Sequence, residues 1–227
     1  MAGCGTLRVV YLHGFASSPA SSKARFFNAR FQEAGVEVSV PALDGGDFRN
    51  LTITSQLAVV EREVQRVAER EARGGRVVLM GSSLGGYLTA LYAARHPEQV
   101  ERAIMMAPAF CFARRWPDEL PAHAEWKRTG VTEIFHYGEG RPRELSYNLI
   151  ADGLEYEDYP EVPSPVLILH GALDPAVPVG LSEEFAKRRP ANTRLVVYPQ
   201  SGHELTDVVD GMWSEVNAFL GLTATAR

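Results

Sequence analysis

Cysteine is scarce: Cys4 and Cys111 are the two in 227 residues, and they make no disulfide framework of the kind that staples small secreted domains. Long apolar runs are missing. No stretch is long and apolar enough to span a bilayer, and the opening residues lack the apolar core of a signal peptide, so a cytoplasmic protein without a membrane span is expected. Clustered positive charge is missing as well. The 23 Lys and Arg residues are scattered among 28 Asp and Glu, for a net charge of −5, and nothing resembles the basic footprint of a nucleic-acid binder. No histidine or cysteine cluster has metal-ligand spacing. Internal repeats and low-complexity tracts are absent.

What remains is an ordinary globular composition, 45% hydrophobic and 22% charged. The length suits one domain over 1–227 with a small insertion. Short apolar runs alternate with amphipathic stretches. Leu7 to Leu12, Val36 to Val40, Arg76 to Met80, Ala103 to Met106, Val166 to Leu169 and Leu195 to Tyr198 read as strands. Ala20 to Ala34, about Thr54 to Arg73, Ser83 to Arg95, about Leu181 to Arg189 and about Val208 to Leu220 read as helices. Gly35 and Gly74-Gly75 supply helix stops. The third run is apolar without alternation, as in a central parallel strand covered on both faces. This order predicts an α/β fold, a mostly parallel doubly wound sheet with helices on both faces. The stretch 108–163 breaks the pattern. It reads as a long irregular region rich in aromatics, expected to form a cap beyond the carboxyl edge of the sheet, where open α/β sheets bind ligands.

Gly81-Ser82-Ser83-Leu84-Gly85 matches G-x-S-x-G. It follows a predicted strand and opens a predicted helix, the context that lifts a serine hydroxyl clear of the backbone. A serine is a poor nucleophile near neutral pH and needs a base. Of six histidines, His96 ends a helix, His123 and His136 fall in the cap, His170 ends a strand where local hydrogen bonding is expected, and His13 belongs to the His13-Gly14-Phe15 loop. His203 alone comes late and follows a strand, which places it at the edge that holds Ser83. The base needs an acid to fix its tautomer. Asp174 follows the preceding strand, and Ser83, Asp174, His203 is the chain order of α/β-hydrolase triads. Asp207 and Asp210 are alternatives at the start of the last helix, where acids also favour the helix dipole. Ala107-Pro108-Ala109, after an earlier strand, offers no carboxylate.

Charge developing on the substrate oxygen needs two backbone donors. Leu84 N–H, at the helix start, and Phe15 N–H, in the loop after the first strand, are assigned to it. Leu43-Asp44-Gly45-Gly46-Asp47-Phe48 reads as a surface turn rather than a metal or phosphate loop. Phe110, Trp116 and Trp126 are the candidate substrate-binding residues of the cap, whose aromatics equally suit a small core of its own. Arg114-Arg115 reads as an ordinary solvated pair, with reception of an acidic leaving group as the alternative.

Tyr11-Leu12-His13-Gly14-Phe15-Ala16-Ser17-Ser18-Pro19, with Lys23-Ala24 and Gly81 to Tyr87, is similar to the YqiA-type bacterial esterases. Glu125-Trp126-Lys127, Tyr147 to Ile150 and Leu169 to Asp174 resemble the mitochondrial abhydrolase-domain thioesterases that act on acylated proteins and acyl glucuronides. The resemblance implies an α/β-hydrolase fold, no cofactor, and hydrolysis of a small-molecule ester or thioester through an acyl-serine intermediate. Peptidase, C–C hydrolase or lyase chemistry on the same scaffold is the alternative, and a non-catalytic ligand-binding homologue a further one.

Overall fold

A computed structural model of the chain describes residues 7–69, 76–120 and 122–222. Cys4 and the Gly74-Gly75 stop lie outside the described residues. The main sheet has six strands: β1 (Arg8–Leu12), β2 (Glu37–Ser39), β3 (Val77–Ser82), β4 (Val100–Met106), β7 (Val166–Gly171) and β8 (Thr193–Tyr198). Their order is β2-β1-β3-β4-β7-β8 and every pairing is parallel. The helices between them are α1 (Ser22–Glu33), α2 (Ile53–Ala68), α3 (Leu84–Arg95), α7 (Val179–Arg188) and α8 (Val209–Leu220).

The predicted alternation of strands and helices is therefore borne out, with boundaries shifted by a few residues. Side chains along a strand point to opposite faces in turn, and both faces are buried. Val10, Leu12, Leu79, Met105 and Ile168 join Val60, Val64, Leu88 and Phe185 of α2, α3 and α7 in one cluster. Tyr11, Met80, Ile104 and Leu169 join Phe27, Phe31, Met212 and Val216 of α1 and α8 in the other. A strand buried on both sides has no polar face, which is why the central runs lack alternation. Helix starts follow local chemistry. Ser21 Oγ accepts the Ala24 N–H at the head of α1, and Thr52 and Ser55 form a capping box on α2. Gly35, at φ 74°, turns the chain out of α1.

Between β4 and β7 the expectation of irregular structure is corrected. This stretch holds α4 (Phe112–Arg115), a 3-10 turn (Trp116–Glu119), α5 (His123–Thr129), an antiparallel hairpin of β5 (Val131–His136) and β6 (Arg141–Ser146), and α6 (Asn148–Gly153). The sequence of β6, Arg-Pro-Arg-Glu-Leu-Ser, reads as a loop. In a two-stranded hairpin each strand has a free side, so Pro142 need not break the ladder. Among the described residues no helix is long and apolar enough to cross a membrane.

Candidate active site

The strand order reverses at β1, since the chain steps outward to β2 and then returns to β3. The crevice outside the carboxyl ends of β1 and β3 is where such a sheet takes ligands, and a cleft of about 980 Å³ opens there. Ser83 sits at the β3–α3 turn with φ 55° and ψ −118°. Backbone of this kind costs a non-glycine residue roughly 1–3 kcal/mol, so it persists only where its surroundings hold it. Ser83 N–H donates to Met106 O at 2.8 Å, and Ala109 and Tyr87 N–H donate to Ser83 O at 3.0 and 3.1 Å. The flanking glycines make the turn possible. A Cβ on Gly85 would lie 2.2 Å from Leu12 O, and one on Gly81 would lie 2.1 Å from Gly85 O.

His203, in the loop after β8, reaches across to this turn. Its Nε2 lies 3.1 Å from Ser83 Oγ, and its Nδ1 lies 2.7 Å from Asp174 Oδ2. An ionised carboxylate only accepts, so Nδ1 carries the proton and Nε2 turns its lone pair to the serine hydroxyl. Asp174 comes from the loop after β7 and its side chain is fully buried. Its Oδ1 accepts the Ala176 and Val177 N–H groups, both at 2.8 Å. Burial alone raises a carboxyl, but hydrogen bonds from His170, His203 and the Val177 N–H outweigh it and hold Asp174 well below the usual range. Asp207 and Asp210 are occupied elsewhere: Asp207 accepts from Ser201 Oγ at 2.6 Å and Asp210 pairs with Arg30 at 2.6 Å.

His170 was expected to be locally bonded, and it is, but it also touches the acid. Buried beneath the loop, its Nε2 lies 2.9 Å from Val177 O and 3.3 Å from Asp174 Oδ2, while Nδ1 lies 2.7 Å from Ser182 Oγ. Its spacing of four residues before Asp174, across the turn that ends β7, is the signal that could have linked them. The other histidines stay away from Ser83 Oγ. His13 is a staple, accepting the Leu43 N–H at Nε2 and facing Gly14 O through Nδ1; burial pushes its imidazole below the ordinary value. His136 accepts the Glu139 N–H, His96 stacks on Tyr92, and His123 stacks on Tyr147.

Leu84 is the first residue of α3, so its N–H has no intrahelical acceptor. Phe15 follows Gly14, where a Cβ would lie 3.6 Å from Ser83 Cβ. Both residues line the cleft with Ser83. Of the three aromatic candidates, Trp116 lines the cleft. Phe110 and Trp126 are corrected to core residues. Phe110 is fully buried and stacks on Phe185 at 4.7 Å. Trp126 is buried with its indole N–H donated to Leu145 O at 3.1 Å. Phe112 and Tyr137 are lining residues that the sequence did not single out, and Arg115 of the predicted arginine pair lines the cleft as well. Arg114 pairs with Asp158, and Arg115 donates to Ala176 O in the cleft wall rather than standing free in solvent. The Asp44–Asp47 segment is the expected turn, with Asp44 accepting the Gly46 N–H and Asp47 bonding Asn50. Among the described residues no three His, Cys, Asp or Glu side chains are grouped to hold a metal ion.

Fold and site together define an α/β-hydrolase. The chain belongs to the uncharacterised protein family UPF0227, whose profile matches residues 8–220. The acylamino-acid-releasing enzyme of Sus scrofa is 30% identical over 169 residues, which is 72% of this chain; the chain spans 22% of that enzyme's length. The pimeloyl-[acyl-carrier protein] methyl ester esterase of Aromatoleum aromaticum is 26% identical, covering 86% of this chain and 90% of its own. Among solved structures, alpha/beta hydrolase domain-containing protein 10 from mouse superposes with a TM-score of 0.79 at 22% identity, covering 94% and 89% of the two chains. Est1E from Butyrivibrio proteoclasticus gives 0.77 at 21%, covering 94% and 86%. These likenesses bear out the expected fold.

Proposed function

We propose that the protein is a serine hydrolase that cleaves carboxylic ester or thioester bonds through an acyl-serine intermediate. One observation carries the reading: an unbroken hydrogen-bonded chain from Ser83 Oγ through His203 to the buried Asp174, at the mouth of the cleft. Ser83 Oγ attacks the acyl carbon as His203 Nε2 takes its proton. The Phe15 and Leu84 N–H groups receive the oxyanion, aided by the α3 N-terminus. His203 returns the proton to the leaving group as the acyl–oxygen or acyl–sulfur bond breaks. A water, deprotonated by the same nitrogen, then releases the acid and restores Ser83. Asp174 stabilises the imidazolium formed at each stage. The stretch between β4 and β7 acts as a cap that walls the acyl side with Phe112 and Trp116.

Ester cleavage is favoured over amide cleavage because the relative that matches nearly end to end is named an esterase, while the acylamino-acid-releasing enzymes match over a fifth of their length. The test is a fluorescent fluorophosphonate probe on wild type, Ser83→Ala and His203→Ala, followed by nitrophenyl esters, acyl thioesters and an acyl-alanine nitroanilide. Labelling that depends on both residues, with ester or thioester turnover, is the expected result. An unlabelled, folded wild type that turns over none of these substrates sinks the proposal.

A further inference from the structure

The motif Ser17-Ser18-Pro19 to Lys23-Ala24 has no part in the hydrolytic chain, yet much of it lines the cleft. Lys23 is 9% exposed and stands in the first turn of α1. That is a costly place for a cation. Burial strips its water, and the positive end of the helix dipole repels it. No acidic residue occupies that first turn. Its ion-pair partner among the described residues is Glu204, 3.4 Å from Nζ, whose side chain is 74% exposed to water. Burial pushes the Lys23 amine down, and the Glu204 carboxylate, with a lesser pull from Asp174, only partly restores it.

A second, independent feature lies beside it. Tyr11 is 1% exposed, lines the same cleft, and its hydroxyl has no hydrogen-bond partner among the described residues. Such groups are rare and costly unless a ligand satisfies them. Burial raises its phenol, so it remains an O–H donor. Helix geometry leaves the Ser22 and Lys23 N–H groups without intrahelical acceptors, and Arg25 adds a second cation to the wall. Among the described residues, the anion these donors meet is the exposed Glu204 carboxylate on Lys23. The wall adjoins His203 through Glu204, the next residue, and His203 is the group that hands a proton to the leaving atom.

We propose that this wall is a subsite for an anionic group, carboxylate or phosphate, on the leaving-group portion of the substrate, with Lys23 Nζ and Tyr11 Oη as its main donors. The inference rests on the hydrolase reading above. Glu204 then swings outward into solvent as the anion enters, so its charge opposes binding.

The experiment compares butyrate esters of 4-nitrophenol and of 5-hydroxy-2-nitrobenzoate, which share acyl group and chromophore and differ by a carboxylate. The readout is the ratio of kcat/KM, carboxylated over neutral. Lys23→Met should lower that ratio about tenfold, the worth of one charge-assisted hydrogen bond. Tyr11→Phe, which breaks no internal hydrogen bond, should lower it severalfold and serves if Lys23→Met does not fold. Glu204→Gln should raise it. An unchanged ratio in folded Lys23→Met or Tyr11→Phe overturns the subsite while leaving the hydrolase reading intact. If wild type turns over neither ester, the hydrolase reading is decided by probe labelling and the thioester and anilide substrates above. The subsite is then judged by calorimetric binding of 5-hydroxy-2-nitrobenzoate to Ser83→Ala protein, with and without Lys23→Met, and equal affinity overturns it. Competition by inorganic phosphate against benzoate tells the two anions apart, and competition by neither overturns the proposal.

Discussion

The parallel body and the stretch from Ala107 to Pro165 are held together by different means. In the body, the loops that matter are fixed by backbone. Ser83 is clamped at positive φ, Gly81 and Gly85 leave no room for a Cβ, and Asp174 Oδ1 is tied to two N–H groups of its own loop. Between β4 and β7 the cohesion comes from rings. Trp116 stacks on Phe112 at 5.1 Å and meets Trp126 edge-on at 5.6 Å, and Trp126 meets Tyr147 at 5.3 Å. Backbone clamps tolerate one residue type; ring clusters tolerate any side chain of similar volume. The lesson is that the body stores geometry and the inserted stretch stores shape.

The sharpest way to break this comparison is at Ser83. Ser83→Ala should lose on the order of 10⁴ to 10⁶ of the turnover while thermal unfolding stays close to wild type. Residual activity near wild type would move the nucleophile elsewhere. Asp174→Asn should cost on the order of 10⁴ in kcat by presenting the wrong tautomer.

The same residue gives a pH test. Its folded carboxyl is depressed, so its stabilisation is complete above the unfolded value near 3.9 and fades as pH falls towards the folded value. The unfolding free-energy gap between wild type and Asp174→Asn should therefore be flat from pH 7 to about 5 and shrink below about 4. A gap that widened in acid would contradict the depressed carboxyl.

Gly85→Ala, with its Cβ driven into the Leu12 carbonyl, should destabilise by about 3 kcal/mol or more. Trp126→Phe removes one buried hydrogen bond and some volume. It should cost only about 1–2 kcal/mol, with little loss of kcat. Chemical denaturation of the pair measures the contrast directly; equal costs would erase it. Trp116→Ala, in the cleft wall, should be milder still, raising KM a few-fold for long apolar acyl groups while sparing acetate esters.

The same contrast explains what could be read in advance. The six sheet strands, their helices, Ser83, His203 and Asp174 were legible because period, punctuation and chain order are local signals. The hairpin was not, since Arg141, Pro142, Arg143 and Glu144 mark β6 as loop and its pairing with β5 is decided between segments. Phe110 and Trp126 were misread as cleft residues, because composition cannot tell a ring facing a ligand from a ring facing Phe185 or Leu145. His170 contacts Asp174 only once the β7 turn is folded. Likewise the unpartnered Tyr11 hydroxyl is invisible until its neighbours are in place.

The bonds from Ser83 to Met106 and from Ala109 to Ser83 fix where this protein can be cut and joined. They root the inserted stretch in the Ser83 turn itself. A chimaera that exchanged the whole span after Met106 would import a foreign anchor for Ser83. One whose seams fall beyond Phe110 and before β7 would carry a new wall on the old foundation. The natural graft boundary thus lies inside the insertion, a few residues past the end of β4.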